Sequence, residues 1–140
     1  MAIEFLERSD LIEECYEFLL GYAAQGLPTD EGSFAGRQVR EHLQRASEAL
    51  AGLGVSCKQA IADRQLEPAA KYDAFCSVLE RDASDSQAAI DLVLAQPALS
   101  SQLIDNLNAS SHLRALLTDL FLLGDVLRTA ANIRGTAKGM

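Results

Sequence analysis

Residues 110–134, SSHLRALLTDLFLLGDVLRTAANIR, constrain this chain more than any other stretch. Leu113, Leu116, Leu117, Leu120, Leu123, Gly124, Leu127 and Ala131 recur at three- and four-residue spacing, which places them on one side of an α-helix. Arg114, Thr118, Asp125, Arg128, Thr129 and Asn132 form a polar stripe. Leu122, Val126 and Ile133 belong to neither, so the helix is apolar on more than one side. A helix of that kind is expected at the centre of a bundle or packed in an oligomer.

The rest of the chain repeats the helical signal. Asp10 and Glu13 make a capping box for a helix over about 10–25. Its apolar side holds Leu11, Cys15, Phe18, Leu19 and Tyr22, and its acidic side holds Asp10, Glu13, Glu14 and Glu17. Gly26 and Pro28 are stop signals. Extending this helix backwards would put Glu4 and Arg8 on its buried face, so residues 1–9 are expected to form a separate, loosely ordered segment. Val39, Leu43, Ala46, Leu50 and Leu53 define a helix over about 34–53. A short helix at 56–65, capped by Ser56, should precede one at 68–81 carrying Tyr72, Phe75, Cys76 and Leu79. The run DASDS, residues 82–86, offers Ser84 or Asp85 as the cap of a further helix ending near Gln96. Pro97 breaks that helix and can open a stretch carrying Leu99, Leu103, Ile104 and Leu107. Leu and Ala dominate, Trp is absent, and β-branched residues are sparse. The expected fold is all-α: a compact bundle of five main helices plus one short helix, with the C-terminal helix (about 110–134) central. One domain over 1–140 is expected, with 1–9 and 135–140 loosely ordered.

The tetrapeptide FLLG occurs twice, at Phe18–Gly21 and Phe121–Gly124. Helical phase places Gly21 on the acidic side of its helix and Gly124 on the apolar side of the other. The match is therefore read as coincidence in a Leu-rich chain. Only Gly124 is expected to matter for packing, by admitting another backbone.

Net charge is −8 and uneven: residues 1–31 carry −7, and residues 82–113 carry four Asp with no Lys or Arg. An acidic surface repels phosphate, so nucleic acid is not an expected partner. A protein with a basic surface is. No run of about 18 apolar residues is present, so no membrane span is expected. No basic segment leading into an apolar run opens the sequence, so no leader is expected either. Cys15, Cys57 and Cys76 are odd in number and scattered, which favours free thiols and a cytoplasmic location. Cys57, beside Lys58, is the thiol expected to be exposed.

The tested chemistries fail on specific residues. Di-iron bundles need Glu-x-x-His, but Val39 precedes His42 by three residues and Ala109 precedes His112. The cysteines and histidines lack zinc spacing. Asp82-x-Ser84-x-Ser86 opens like a calcium loop but has Gln87 and Val93 where Gly and Glu are required. GSFAG, residues 32–36, puts its Ser one place early for a nucleophile elbow. No metal, cofactor or catalytic residue is expected. The expected function is a non-catalytic protein–protein interaction module, acting alone or as a homodimer. Asp10, Glu13, Glu14, Glu17 and Phe121 are its interface candidates. The alternative is a bundle, or an enzyme, holding a small anionic ligand in an inter-helix pocket with Arg37, Arg40 and His42.

Overall fold

The structure, a computed structural model, describes residues 4–139, with side chains as far as Ala130. Expectations for residues 1–3, for Met140 and for side chains from 131 onward lie outside the described residues. The chain forms an all-α bundle of six helices: α1 (Phe5–Ala24), α2 (Phe34–Ala51), α3 (Leu53–Asp63), α4 (Ala69–Leu94), α5 (Ser101–Ala109) and α6 (Ser111–Gly139). Neighbouring long helices run antiparallel. Phe18 of α1 stacks on His42 of α2, and Ser47 of α2 meets Asp91 of α4. Ser86 of α4 bonds the His112 carbonyl at the start of α6.

α1 begins five residues earlier than the capping box implies. Phe5 and Ser9 are buried, so the segment expected to be separate is the first turn and a half of the helix. Arg8 does fall towards the core, but its guanidinium reaches the carbonyls of Glu48 (3.3 Å) and Ala49 (3.1 Å) at the end of α2. The last carbonyls of a helix lack intrahelical donors, and a cation suits the negative end of a helix. The residue that argued against helix therefore caps a neighbour.

α4 joins the two helices expected at 68–81 and 86–96. The DASDS run is interior helix because Ala83 and Ser86 are buried and the Ser86 hydroxyl donates to the His112 carbonyl at 2.9 Å. A poor intrinsic helix preference of a few tenths of a kcal/mol per residue yields to packing on that scale. α3 likewise starts at Leu53 rather than at a Ser56 cap, since Leu53 is fully buried; the Ser56 hydroxyl instead bonds the Leu53 carbonyl within the helix. At α5 the cap is Ser100, which accepts from Leu103 N–H at 3.0 Å, not Pro97.

The core runs through all six helices. It extends from Phe5, Ile12 and Leu19 of α1 through Val39 and Leu43 of α2, Leu53 of α3, and Leu79 and Ile90 of α4 to Ile104 of α5 and Leu116 of α6. Among the described residues, the central place falls to α1 and α4 rather than α6. There α4 packs against α2, α3, α5 and α6, and α1 against α2, α3, α5 and α6, whereas α6 rests mainly on α4. α6 buries Leu113, Leu116, Leu117, Leu120, Leu123 and Leu127 and leaves Phe121 and Leu122 in solvent.

Candidate functional site

Where α1 ends, the loop 25–33 turns back over the ends of α4 and α5, and a polar network closes the corner. Ser33 caps α2 by accepting from Gly36 N–H at 2.9 Å. Gly36 is required there: a Cβ would collide with the Asp30 backbone carbonyl. That contact sets Asp30 against α2, where its Oδ2 accepts from Arg40 Nε at 2.6 Å and its Oδ1 from Leu99 N–H at 2.7 Å. The remaining Arg40 nitrogens donate to the carbonyls of Leu94, Gln96 and Pro97. Tyr22 Oη donates to the Leu99 carbonyl (2.6 Å), and Ser101 Oγ donates to the Tyr22 carbonyl and accepts from Leu27 N–H. Burial pushes the Asp30 carboxyl up, but the Arg40 and backbone hydrogen bonds and the Arg40 charge outweigh it and hold it below its usual range. Burial and the Asp30 charge push the Tyr22 phenol up, against Arg40.

This corner redefines the anionic-ligand candidates. Arg40 is committed to Asp30 and three carbonyls, Arg37 is exposed, and His42 is stacked on Phe18 with ring centroids 4.3 Å apart. Burial, then the Arg45 charge, push the His42 imidazole below its usual range, against Glu14 and Glu41. A guanidinium already paired and an imidazole held towards its neutral form leave Arg40 and His42 little charge for an anion. A groove of about 610 Å³ lies elsewhere, between the start of α1 and α3, with Phe5 and Ala60 below and Leu6, Val55, Arg8 and Arg64 around it.

The interface candidates occupy two places. Asp10, Glu14 and Glu17 are exposed on α1 and make no ion pair among the described residues; Glu13 is half-buried. Burial, then the Asp10 charge, raise the Glu13 carboxyl, with Arg128 of α6 opposing and Glu17 adding to the rise. Phe121 stands on the outer side of α6, 58% exposed, with Leu122 beside it at 50%.

The cysteines differ from expectation. Cys57 and Cys76 are joined in a disulfide between α3 and α4, with Cα atoms 6.0 Å apart. Cys57, expected to be an exposed thiol, is 1% exposed. The ground for a reducing cytoplasm, three free thiols, is therefore lost. Parity misled because one residue, Cys15, is left over; it is buried, and burial pushes its thiol up to about 12, so it stays protonated and unreactive.

One cluster escaped the sequence reading. Asp119 of α6 is buried, and its carboxyl meets that of Asp82 on α4; its Oδ2 has no partner among the described residues. Burial, then the hydrogen bond and charge of Asp82, raise Asp119 to about 7. The signal was available in the phase: Asp119 follows Leu116 by three residues and precedes Leu123 by four, at the edge of the buried stripe.

Fold and sites together define an all-α bundle with an acidic first helix and an apolar outer patch on its last. No protein-family model, curated protein or solved structure matches the chain. Among the described residues, no helix is long and apolar enough to cross a membrane.

Proposed function

We propose that this protein is a non-catalytic interaction module whose partner is a protein with a basic surface. The observation that carries this reading is the exposure of Phe121 and Leu122 on a helix whose other leucines are buried. An exposed aromatic beside an aliphatic side chain is the kind of anchor that dominates binding energy at interfaces. Asp10, Glu14 and Glu17 of α1, exposed and without an ion pair among the described residues, add the charge that would steer and orient a basic partner. A second copy of the chain is the less favoured occupant, because two surfaces of the same acidic sign repel.

Phe121→Ala tests the reading. Capture of a partner from native extract should fall at least tenfold while the thermal midpoint stays within a degree or two, as expected for an exposed side chain (roughly 0.5 kcal/mol or less). Light scattering distinguishes a second copy, which would appear as a mass that halves in the variant. A marked loss of thermal stability with unchanged capture and mass would show that Phe121 serves packing, and the reading would fail.

A further inference from the structure

We propose that Asp82 on α4 and Asp119 on α6 form a proton-held latch: a shared proton keeps α6 seated on α4, and its loss to solvent loosens α6. Asp119 is 7% exposed, lies on the side of α6 that faces α4, and has another carboxyl for its neighbour. Two carboxyls in hydrogen-bond contact need a proton between them, because two adjacent carboxylates repel. Among the described residues, no cation acts on Asp119 to replace it. From α4, Arg81 and Asp85 are exposed, and Asp82 is the charged group that acts on Asp119. From α5, Asp105 is exposed, and the buried side chains are Ser101, Ile104, Leu107 and Asn108, none of them charged. From α1, Glu13 is the acid that interacts with α6, and it does so with Arg128, nine residues further along. On α6 itself, His112, Arg114, Asp125 and Arg128 are all exposed.

α6 is suited to respond. It rests mainly on α4, and its first turn is tied there by the Ser86 hydroxyl on the His112 carbonyl. The carboxyl pair lies two turns further in, so opening would begin beyond that tie and spread along Leu120, Leu123 and Leu127. Asp119 is raised to about 7, above an ordinary carboxyl. The sign follows: its stabilising share is complete below an ordinary Asp pKa, about 4, and is lost as pH rises through about 7. The latch is closed in mildly acidic solution and opens around neutrality.

Amide hydrogen exchange on the full chain, expressed as protection factors, reads the latch directly. Between pH 6 and pH 8.5, protection over residues 119–127 should fall about tenfold, while α2 stays constant. Asp119→Asn, which keeps a donor for Asp82 and has no proton to lose, should abolish the fall. Asp82→Asn, which leaves the burial of Asp119 in place, should reduce the fall, and it serves as the readout if Asp119→Asn does not fold. Constant protection in the wild-type chain, an equal fall in α2, or an undiminished fall in a folded variant would each overturn the latch.

Discussion

Asp30 gives both carboxylate oxygens to donors, Arg40 Nε at 2.6 Å and Leu99 N–H at 2.7 Å. Asp119 has another acid for its neighbour and an Oδ2 without a partner among the described residues. The two are about equally buried, at 8% and 7% exposure. Burial raises both, so it does not distinguish them; the partner does. A guanidinium and a backbone amide hold Asp30 ionised, whereas at Asp119 burial is reinforced by Asp82 and the carboxyl is raised. The same residue type therefore fixes one corner of the bundle at neutral pH and leaves one seam that loosens there.

The largest test of this contrast is Asp30→Ala. It removes the acceptor for Arg40 and Leu99 N–H and leaves a partly buried guanidinium short of its counter-charge. Breaking a buried pair from one side costs about 3–5 kcal/mol, and the lower end applies because the Arg40 side chain is 31% exposed. Urea denaturation measures the loss; a change below about 1 kcal/mol would mean that Asp30 does not hold the corner. Ser101→Ala should come next, at about 1–3 kcal/mol, because it strands the Leu27 N–H and deprives the Tyr22 carbonyl of its donor.

A pH series sharpens the contrast without removing a side chain. Asp30, held below its usual range, contributes stability that is present above about pH 4 and lost as the solution is acidified below that. Asp119, raised to about 7, does the reverse: its contribution is complete below about pH 4 and lost as pH rises through 7. Wild-type stability should thus fall on both sides. Asp119→Asn should remove the alkaline fall and leave the acidic one. Identical profiles above about pH 5 for the variant and the wild type would erase the distinction between the two carboxyls.

The long periodic elements were legible in the sequence because their determinants are local. The Val39, Leu43, Ala46, Leu50 row and Leu113, Leu116, Leu117, Leu120, Leu123 and Leu127 of α6 are buried as their spacing requires. What escaped depends on distant residues. Asp30 reads as one more turn residue in GLPTDEGS, since its donors stand at 40 and 99. Arg8 argues against helix until the open carbonyls of α2 are placed beside it. Ser86 reads as a cap until the His112 carbonyl arrives to use its hydroxyl. Phe121 was the interface candidate visible from phase alone, and it is exposed as that phase requires. Arg40 could not be separated from a ligand-binding arginine, because the same fork of donors suits an anion and a row of carbonyls.

The two FLLG copies stand one beside each cluster and give the smallest test. Gly21 precedes Tyr22 of the paired corner, and Gly124 follows Asp119 by five residues. Their settings differ by register: Leu19 is buried and Gly21 exposed in the first copy, while Phe121 is exposed and Gly124 buried in the second. Gly124 does not admit a neighbouring backbone, as its phase had suggested. A Cβ there would meet the Arg128 guanidinium at 3.3 Å, and a Cβ at Gly21 would meet nothing within 4 Å. Both positions are helical, so Ala at either should stabilise by about 0.5–1 kcal/mol by removing glycine's backbone freedom from the unfolded chain. Gly124→Ala should gain slightly less, because Arg128 must shift by a few tenths of an ångström, which a flexible side-chain end can do. Since Asp119 shares that helix, the gain at Gly124 should also raise α6 protection at alkaline pH without moving the pH at which protection is lost. Gly21→Ala should leave α6 protection as it was. A net loss of stability at Gly124 would show that the Arg128 guanidinium is fixed in place, and hence that the α6 seam is more rigid than one proton would make it.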